Sequence, residues 1–127
     1  MGAFSVVIAA AIAWVFGAVW YMALGNQWMA AAGLKAEDID RSNKAPFLIS
    51  FLMVVLVAGM MRHIMAMAGI DGFGKGALTG LGLGVFIAAP WIVTNNLFGQ
   101  RPMALSLIDG AHAAIGCMII GATLTVI

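Results

Sequence analysis

Four long apolar stretches constrain the fold of this 127-residue chain more than any other feature. They cover residues 3–24, 47–68, 73–98 and 103–126, and a helix needs roughly 20 apolar residues to cross a bilayer. Only 9% of the residues are charged and 64% are hydrophobic, whereas soluble domains carry roughly 25% charged residues. The sequence therefore predicts an all-α protein, an integral membrane four-helix bundle that forms one domain over residues 1–127.

The first stretch has the character of a membrane span. It lacks the basic residues that precede the apolar core of a signal peptide, so we expect it to remain in the mature protein. Residues 25–45 are predicted to be the main aqueous loop, because they hold six charged side chains: Lys35, Glu37, Asp38, Asp40, Arg41 and Lys44. Glu37 and Arg41 have the i,i+4 spacing of a helical ion pair, which we interpret as a solvated surface.

The distribution of basic residues predicts an orientation in the membrane. The loop at residues 25–45 and the turn at residues 99–102 are predicted to lie on the same side of the membrane, which we call the two-loop face. This face carries four of the basic residues, Lys35, Arg41, Lys44 and Arg101, and the opposite face carries Arg62 and Lys75. Because cytoplasmic loops are enriched in Lys and Arg, we expect the two-loop face in the cytoplasm and both termini outside it.

The third stretch contains a row of glycines at every fourth position. Gly72, Gly76, Gly80 and Gly84 form this row, and each interior glycine weakens a helix in water by about 0.8–1.0 kcal/mol. In a bilayer, small residues let helix backbones approach closely, so we predict that these four glycines are helix-packing residues. Pro90 lacks the N–H that would donate to Phe86, which predicts a kink over residues 86–90.

A layer of polar side chains is predicted beneath the two-loop face. At about 1.5 Å of rise per residue, the following residues fall within roughly 15 Å of that face: Trp20, Tyr21, Ser50, Trp91, Thr94, Asn95, Asp109 and His112. Asp109 is the strongest candidate for a functional residue, because ionisable residues inside membrane spans are rare and usually functional. His112 follows it at i+3 on the same side of the helix.

Two interpretations of Asp109 remain open. The carboxylate either accepts hydrogen bonds from Tyr21, Trp91 or Thr94 and joins helices, or takes part in a proton relay. The hydrogen-bonding role needs no proton acceptors deeper in the membrane. A proton relay does need them, and the deeper half of the membrane offers only Arg62 and His63.

Other classes of site have no support in the sequence. We expect no metal site, no cofactor and no catalysis, because no ligand cluster, phosphate-binding loop or nucleophile-base pair is visible. The single cysteine, Cys117, is interpreted as a small buried residue. The net charge of +1 and the lack of a basic cluster argue against nucleic acid as a partner.

The leading hypothesis is a non-catalytic protein that works by packing. Its partners would be the lipid bilayer and either other copies of itself or the subunits of a larger membrane complex. The alternative is a small proton-linked transporter that uses the polar layer around Asp109.

Several short motifs resemble a known family. They are Trp20-Tyr21, Leu24-Gly25, Trp28, Gly33-Leu34 and Leu107-Ile108-Asp109-Gly110. The chain is similar to the small four-span bacterial membrane proteins called domain of unknown function 1761, and this resemblance implies a bacterial inner-membrane protein without implying an activity. The chain also resembles the small multidrug-resistance transporters in length and span count, but it lacks the glutamate in span 1 on which those proteins rely.

Overall fold

The computed structural model describes residues 2–127, which are mostly helical and contain no strand. Six α-helices lie within these residues: α1 (Gly2–Ala23), α2 (Gly25–Ala32), α3 (Ala45–Ala68), α4 (Phe73–Leu83), α5 (Ala89–Phe98) and α6 (Met103–Leu124). A π-helical turn, Gly84–Ala88, joins α4 to α5, and a short 3-10 turn, Ala36–Asp38, lies between α2 and α3.

Four helical segments are long and apolar enough to cross a membrane, judged by length and composition. They are Gly2–Ala23, Ala45–Ala68, Phe73–Phe98 and Met103–Leu124. The third segment comprises α4, the π-helical turn and α5. The all-α class and the four-helix bundle predicted from the sequence are thus confirmed.

Helix α6 is the centre of the bundle, because it contacts each of the other five α-helices. Helix α3 is peripheral and packs mainly on α1. The buried core contains more small side chains than large ones: Ala9, Ala10, Ala13, Ala58 and Cys117 are small, and Met61 and Ile120 are large. Large apolar side chains point outward instead, as Phe4 does at 77% exposure and Phe86 at 78%. This distribution is typical of a helix bundle in a lipid bilayer, where close approach of the backbones, rather than burial of apolar surface, holds helices together.

Three glycines of the predicted row are buried against the backbone of α6. A methyl group on any of them would collide with that backbone, because Gly76 lies opposite Gly121, Gly80 opposite Cys117 and Gly84 opposite Ala114. We call this contact the glycine seam. Gly72 lies outside it: the residue precedes α4 with φ at +88°, and no neighbouring atom of residues 2–127 lies within 4 Å of the position where its Cβ would be. Glycine at this position allows the positive φ of the turn and takes no part in the contact between helices.

The irregularity that Pro90 predicts takes the form of the π-helical turn. The backbone N–H of Ala89 donates to the carbonyl oxygen of Gly84, five residues earlier, where a regular helix would use the fourth. The turn thereby takes up one extra residue. Since each residue of an α-helix advances the chain by about 100°, the extra residue rotates the faces of α5 by that amount relative to α4.

The region predicted as the main aqueous loop begins with a helix. Helix α2 ends at Gly33, whose φ of +73° is the left-handed conformation that glycine adopts easily. The Arg101 guanidinium donates from Nη1 to the carbonyl oxygen of Ala32 over 2.9 Å. The connection between α5 and α6 therefore holds the end of α2 in place.

The charged part of the loop does not continue as a helix. The 3-10 turn gives way to extended backbone at Ile39, so Glu37 and Arg41 do not form the predicted helical pair. Asp40 instead accepts hydrogen bonds from the hydroxyl and the backbone N–H of Ser42, and these bonds hold the pKa of the Asp40 carboxyl below its usual value.

Candidate functional site

The hydroxyl of Tyr21 donates to Oδ1 of Asp109 over 2.6 Å, which joins the end of α1 to the beginning of α6. These two helices run antiparallel, so their ends meet at the two-loop face. Both side chains are partly buried. A hydroxyl-carboxylate bond of this length is typical of the stronger, charge-assisted class. Of the donors considered for Asp109, the structure brings Tyr21 to it.

The His112 ring lies between two aromatic rings of α1. It stacks on Phe16, with 5.9 Å between centroids and 7° between planes, and it meets Tyr21 edge-on at 4.9 Å. A Cβ on Gly17 would lie 2.7 Å from His112 Nε2, so the absence of a side chain at Gly17 makes room for the imidazole. The spacing of His112 and Asp109 brings both side chains to Tyr21.

Two further aromatic residues surround this site. The indole Nε1 of Trp20 donates to the carbonyl oxygen of Ile108 over 3.2 Å, and the Trp28 ring of α2 meets Tyr21 edge-on at 6.2 Å. Helix α2 therefore contacts the site from the two-loop face. We define the α1–α6 site as Trp20, Tyr21, Asp109 and His112.

Three residues of the predicted layer lie elsewhere. Trp91, Thr94 and Asn95 are exposed on the outer side of α5, with Trp91 at 66% exposure. A regular helix continued from Gly84 would have turned Trp91 and Asn95 toward α6, since they follow it by seven and eleven residues. The π-helical turn rotates them away, and this rotation is the physical reason that the predicted layer does not form as one cluster.

The rotation brings other residues to α6 in their place. Ala89 faces Gly110, and the side-chain amide of Asn96 donates to the Ser106 hydroxyl over 3.2 Å. Ser106 is 2% exposed, so Asn96 is its partner in the interior. Sequence reasoning selected Asn95 and missed Asn96. Pro90 is the sequence signal that could distinguish Asn95 from Asn96, because an irregular helix near a proline can contain a π-helical turn as well as a kink.

A fourth residue of the predicted layer, Ser50, makes a different polar contact, with a partner that the sequence did not indicate. The indole Nε1 of Trp14 donates to the Ser50 hydroxyl over 3.0 Å, and Ser50 donates in turn to the carbonyl oxygen of Phe47. This contact links α1 to α3 at the same end of the bundle as the α1–α6 site.

Residues 4–125 match the model of the family described as a protein of unknown function, DUF1761. The chain belongs to the DUF1761 family. The resemblance found from the short aromatic and glycine motifs is thereby confirmed. No curated protein and no solved structure matches the chain.

The chemistry available to this DUF1761 protein at the α1–α6 site is hydrogen bonding and proton exchange. The Tyr21 hydroxyl donates a hydrogen bond to Asp109, whereas no hydrogen bond joins Asp109 to His112 within residues 2–127. In that part of the chain no three His, Cys, Asp or Glu side chains come together in a group able to hold a metal ion. The arrangement therefore joins two helices directly and leaves His112 as an aromatic neighbour.

Proposed function

We propose that the protein is a non-catalytic integral membrane protein that assembles with a second copy of itself. The contact is made by the outward side of α5, which we call the α5 face and define as Trp91, Thr94, Asn95 and Phe98. These four residues follow the i, i+3, i+4, i+7 spacing of one helical face, and all four are exposed.

The unpaired carboxamide of Asn95 is the observation that carries this proposal. The Thr94 and Asn95 side chains have no hydrogen-bond partner within residues 2–127. Two other polar side chains of the spans are bonded by contrast: Asn96 donates to Ser106 and Trp14 donates to Ser50. An unpaired carboxamide facing lipid is costly, and hydrogen bonds between helices remove that cost.

A second copy fits this face because a carboxamide both donates and accepts. Two Asn95 side chains related by a two-fold axis satisfy each other, as an isologous contact requires. Asn95 precedes the end of α5 by three residues, which places it about 5 Å inside the helix. Lipid headgroups reach that depth, so the test must separate a protein partner from lipid.

The molecular mass in mild detergent tests the proposal. We expect the wild-type protein to have twice the mass of the chain by light scattering, and Asn95→Ala to have the mass of one chain. Asn26→Ala is the matched control, because Asn26 carries an exposed carboxamide on α2. A wild-type monomer would refute self-assembly. A wild-type protein that carries one copy bound to a different membrane protein would refute the second copy in favour of an accessory role.

A proton-linked transporter is the second candidate, favoured by the partly buried carboxylate of Asp109 beside the Tyr21 hydroxyl. It predicts that Asp109→Asn abolishes a proton flux into proteoliposomes driven by a pH gradient. Asp71→Asn is the control, because it removes an exposed carboxylate from a turn outside the helices. Equal flux in wild type and Asp109→Asn would eliminate this candidate.

A further inference from the structure

A crevice opens between α1, α3 and α6 at the end of the bundle opposite the α1–α6 site. Its volume is about 170 Å³. Most of its lining is apolar, and the polar side chains come from Ser5 and Arg62; the lining residues are Ser5, Arg62, Met65, Ala66, Ile70 and Leu124, with Ile127. The crevice therefore combines one cationic side chain with a small, partly open space at a membrane face.

Arg62 has no hydrogen-bond or ion-pair partner among residues 2–127. It is only partly exposed, and it lies six residues before the end of α3, about 9 Å inside the helix. Arg101, by comparison, bonds to the carbonyl oxygen of Ala32. The nearest acidic residue along the chain, Asp71, is exposed and makes no ion pair with Arg62. An arginine inside a span is costly unless an acceptor meets it.

The missing acceptor has a definable chemistry. A guanidinium presents its N–H donors in a planar fork that matches the oxygens of a phosphate group and binds two of them at once. Water occupies about 30 Å³ per molecule in the liquid, so the crevice has room for about six waters or for one phosphate group. It has no room for a whole lipid.

We propose that this crevice binds a phosphate group on Arg62. The phosphate comes either from the headgroup of an anionic phospholipid, whose chains stay outside the crevice, or from free inorganic phosphate. This site is independent of the α5 face, because it lies at the opposite end of the bundle and on different helices.

Native mass spectrometry of the purified protein tests the site. Phosphatidylglycerol is added to the wild type and to the variants Arg62→Gln and Lys75→Gln, with phosphatidylcholine as the comparison lipid. Lys75 is the matched control, because it is exposed, belongs to the same membrane face and does not line the crevice. We expect Arg62→Gln to retain about tenfold less phosphatidylglycerol than either of the other proteins.

Equal retention by Arg62→Gln and the wild type would overturn the proposal. An equal loss in both variants would also overturn it, because the effect would then be general charge attraction. Millimolar inorganic phosphate separates the sources: displacement of lipid identifies a crevice that accepts free phosphate, and no displacement identifies a lipid site. If Arg62→Gln does not fold, Arg62→Lys is measured instead. Its ammonium group lacks the planar pair of N–H donors of a guanidinium, so it should retain less phosphatidylglycerol than the wild type. Equal retention by Arg62→Lys and the wild type would refute phosphate binding by the guanidinium.

Discussion

The backbone N–H of Ala89 donates to the carbonyl oxygen of Gly84, and this bond decides which residues of α5 face the bundle. The extra residue that it encloses turns Asn96 inward and Asn95 outward. The interior contact with Ser106 and the outward α5 face are thus two consequences of one backbone feature.

The rotation of α5 predicts that replacing two adjacent asparagines has different effects on stability. Asn96→Ala should lower the free energy of unfolding by about 1 kcal/mol, because it leaves the buried Ser106 hydroxyl without its partner. Asn95→Ala should leave the stability of a single chain unchanged. Unfolding at a high detergent-to-protein ratio, which keeps chains apart, measures both. Destabilisation by Asn95→Ala alone would mean that α5 continues α4 without the extra residue.

The glycine seam predicts that a single methyl group is not tolerated at Gly80. Gly80→Ala should destabilise the protein by about 1–3 kcal/mol, because its Cβ would collide with the backbone of Cys117. Gly82→Ala is the control: Gly82 lies on the same helix, and no atom from another part of the described chain lies within 4 Å of its Cβ position. The control should be neutral or slightly stabilising, since alanine favours helix over glycine. Equal effects at both positions would contradict the seam.

The hydrogen bond between Tyr21 and Asp109 predicts coupled effects on stability. In a double-mutant cycle, Tyr21→Phe and Asp109→Ala should show a coupling energy of about 0.6–2 kcal/mol, the range found for hydrogen bonds between membrane helices. Thermal or denaturant unfolding of the four proteins supplies the values. Strict additivity would show that the contact contributes nothing to the joining of α1 and α6.

Sequence reasoning located the parts of the fold that depend on regular periodicity. The four-residue spacing of Gly76, Gly80 and Gly84 indicated a close helix contact, and the depth estimate placed Tyr21 at the level of Asp109. It failed beyond Gly84, because a periodic pattern carries no information on an extra residue in a helical turn. Pro90 indicated that the helix is irregular there, but the outcome depends on how α5 packs against α6, which is a tertiary effect.

The orientation of the chain gives a further expectation. Cysteine introduced at Asp71, in the turn between α3 and α4, should react with a membrane-impermeant maleimide in intact cells. Cysteine introduced at Glu37 should not react, because the face with more basic residues is expected in the cytoplasm. Both positions are exposed, and the native Cys117 is buried. The reverse labelling pattern would place the termini in the cytoplasm.

Disulfide cross-linking in native membranes tests self-assembly most directly. Thr94→Cys should form a covalent dimer under mild oxidation, because the α5 face of one copy meets that of the other and the Asn95 carboxamide is left in place. Val19→Cys is the control, since Val19 is 58% exposed on α1 and lies at a similar depth below the same face. We expect a dimer from Thr94→Cys and a monomer from Val19→Cys. No dimer from Thr94→Cys, or equal dimer from both variants, would contradict self-assembly through the α5 face.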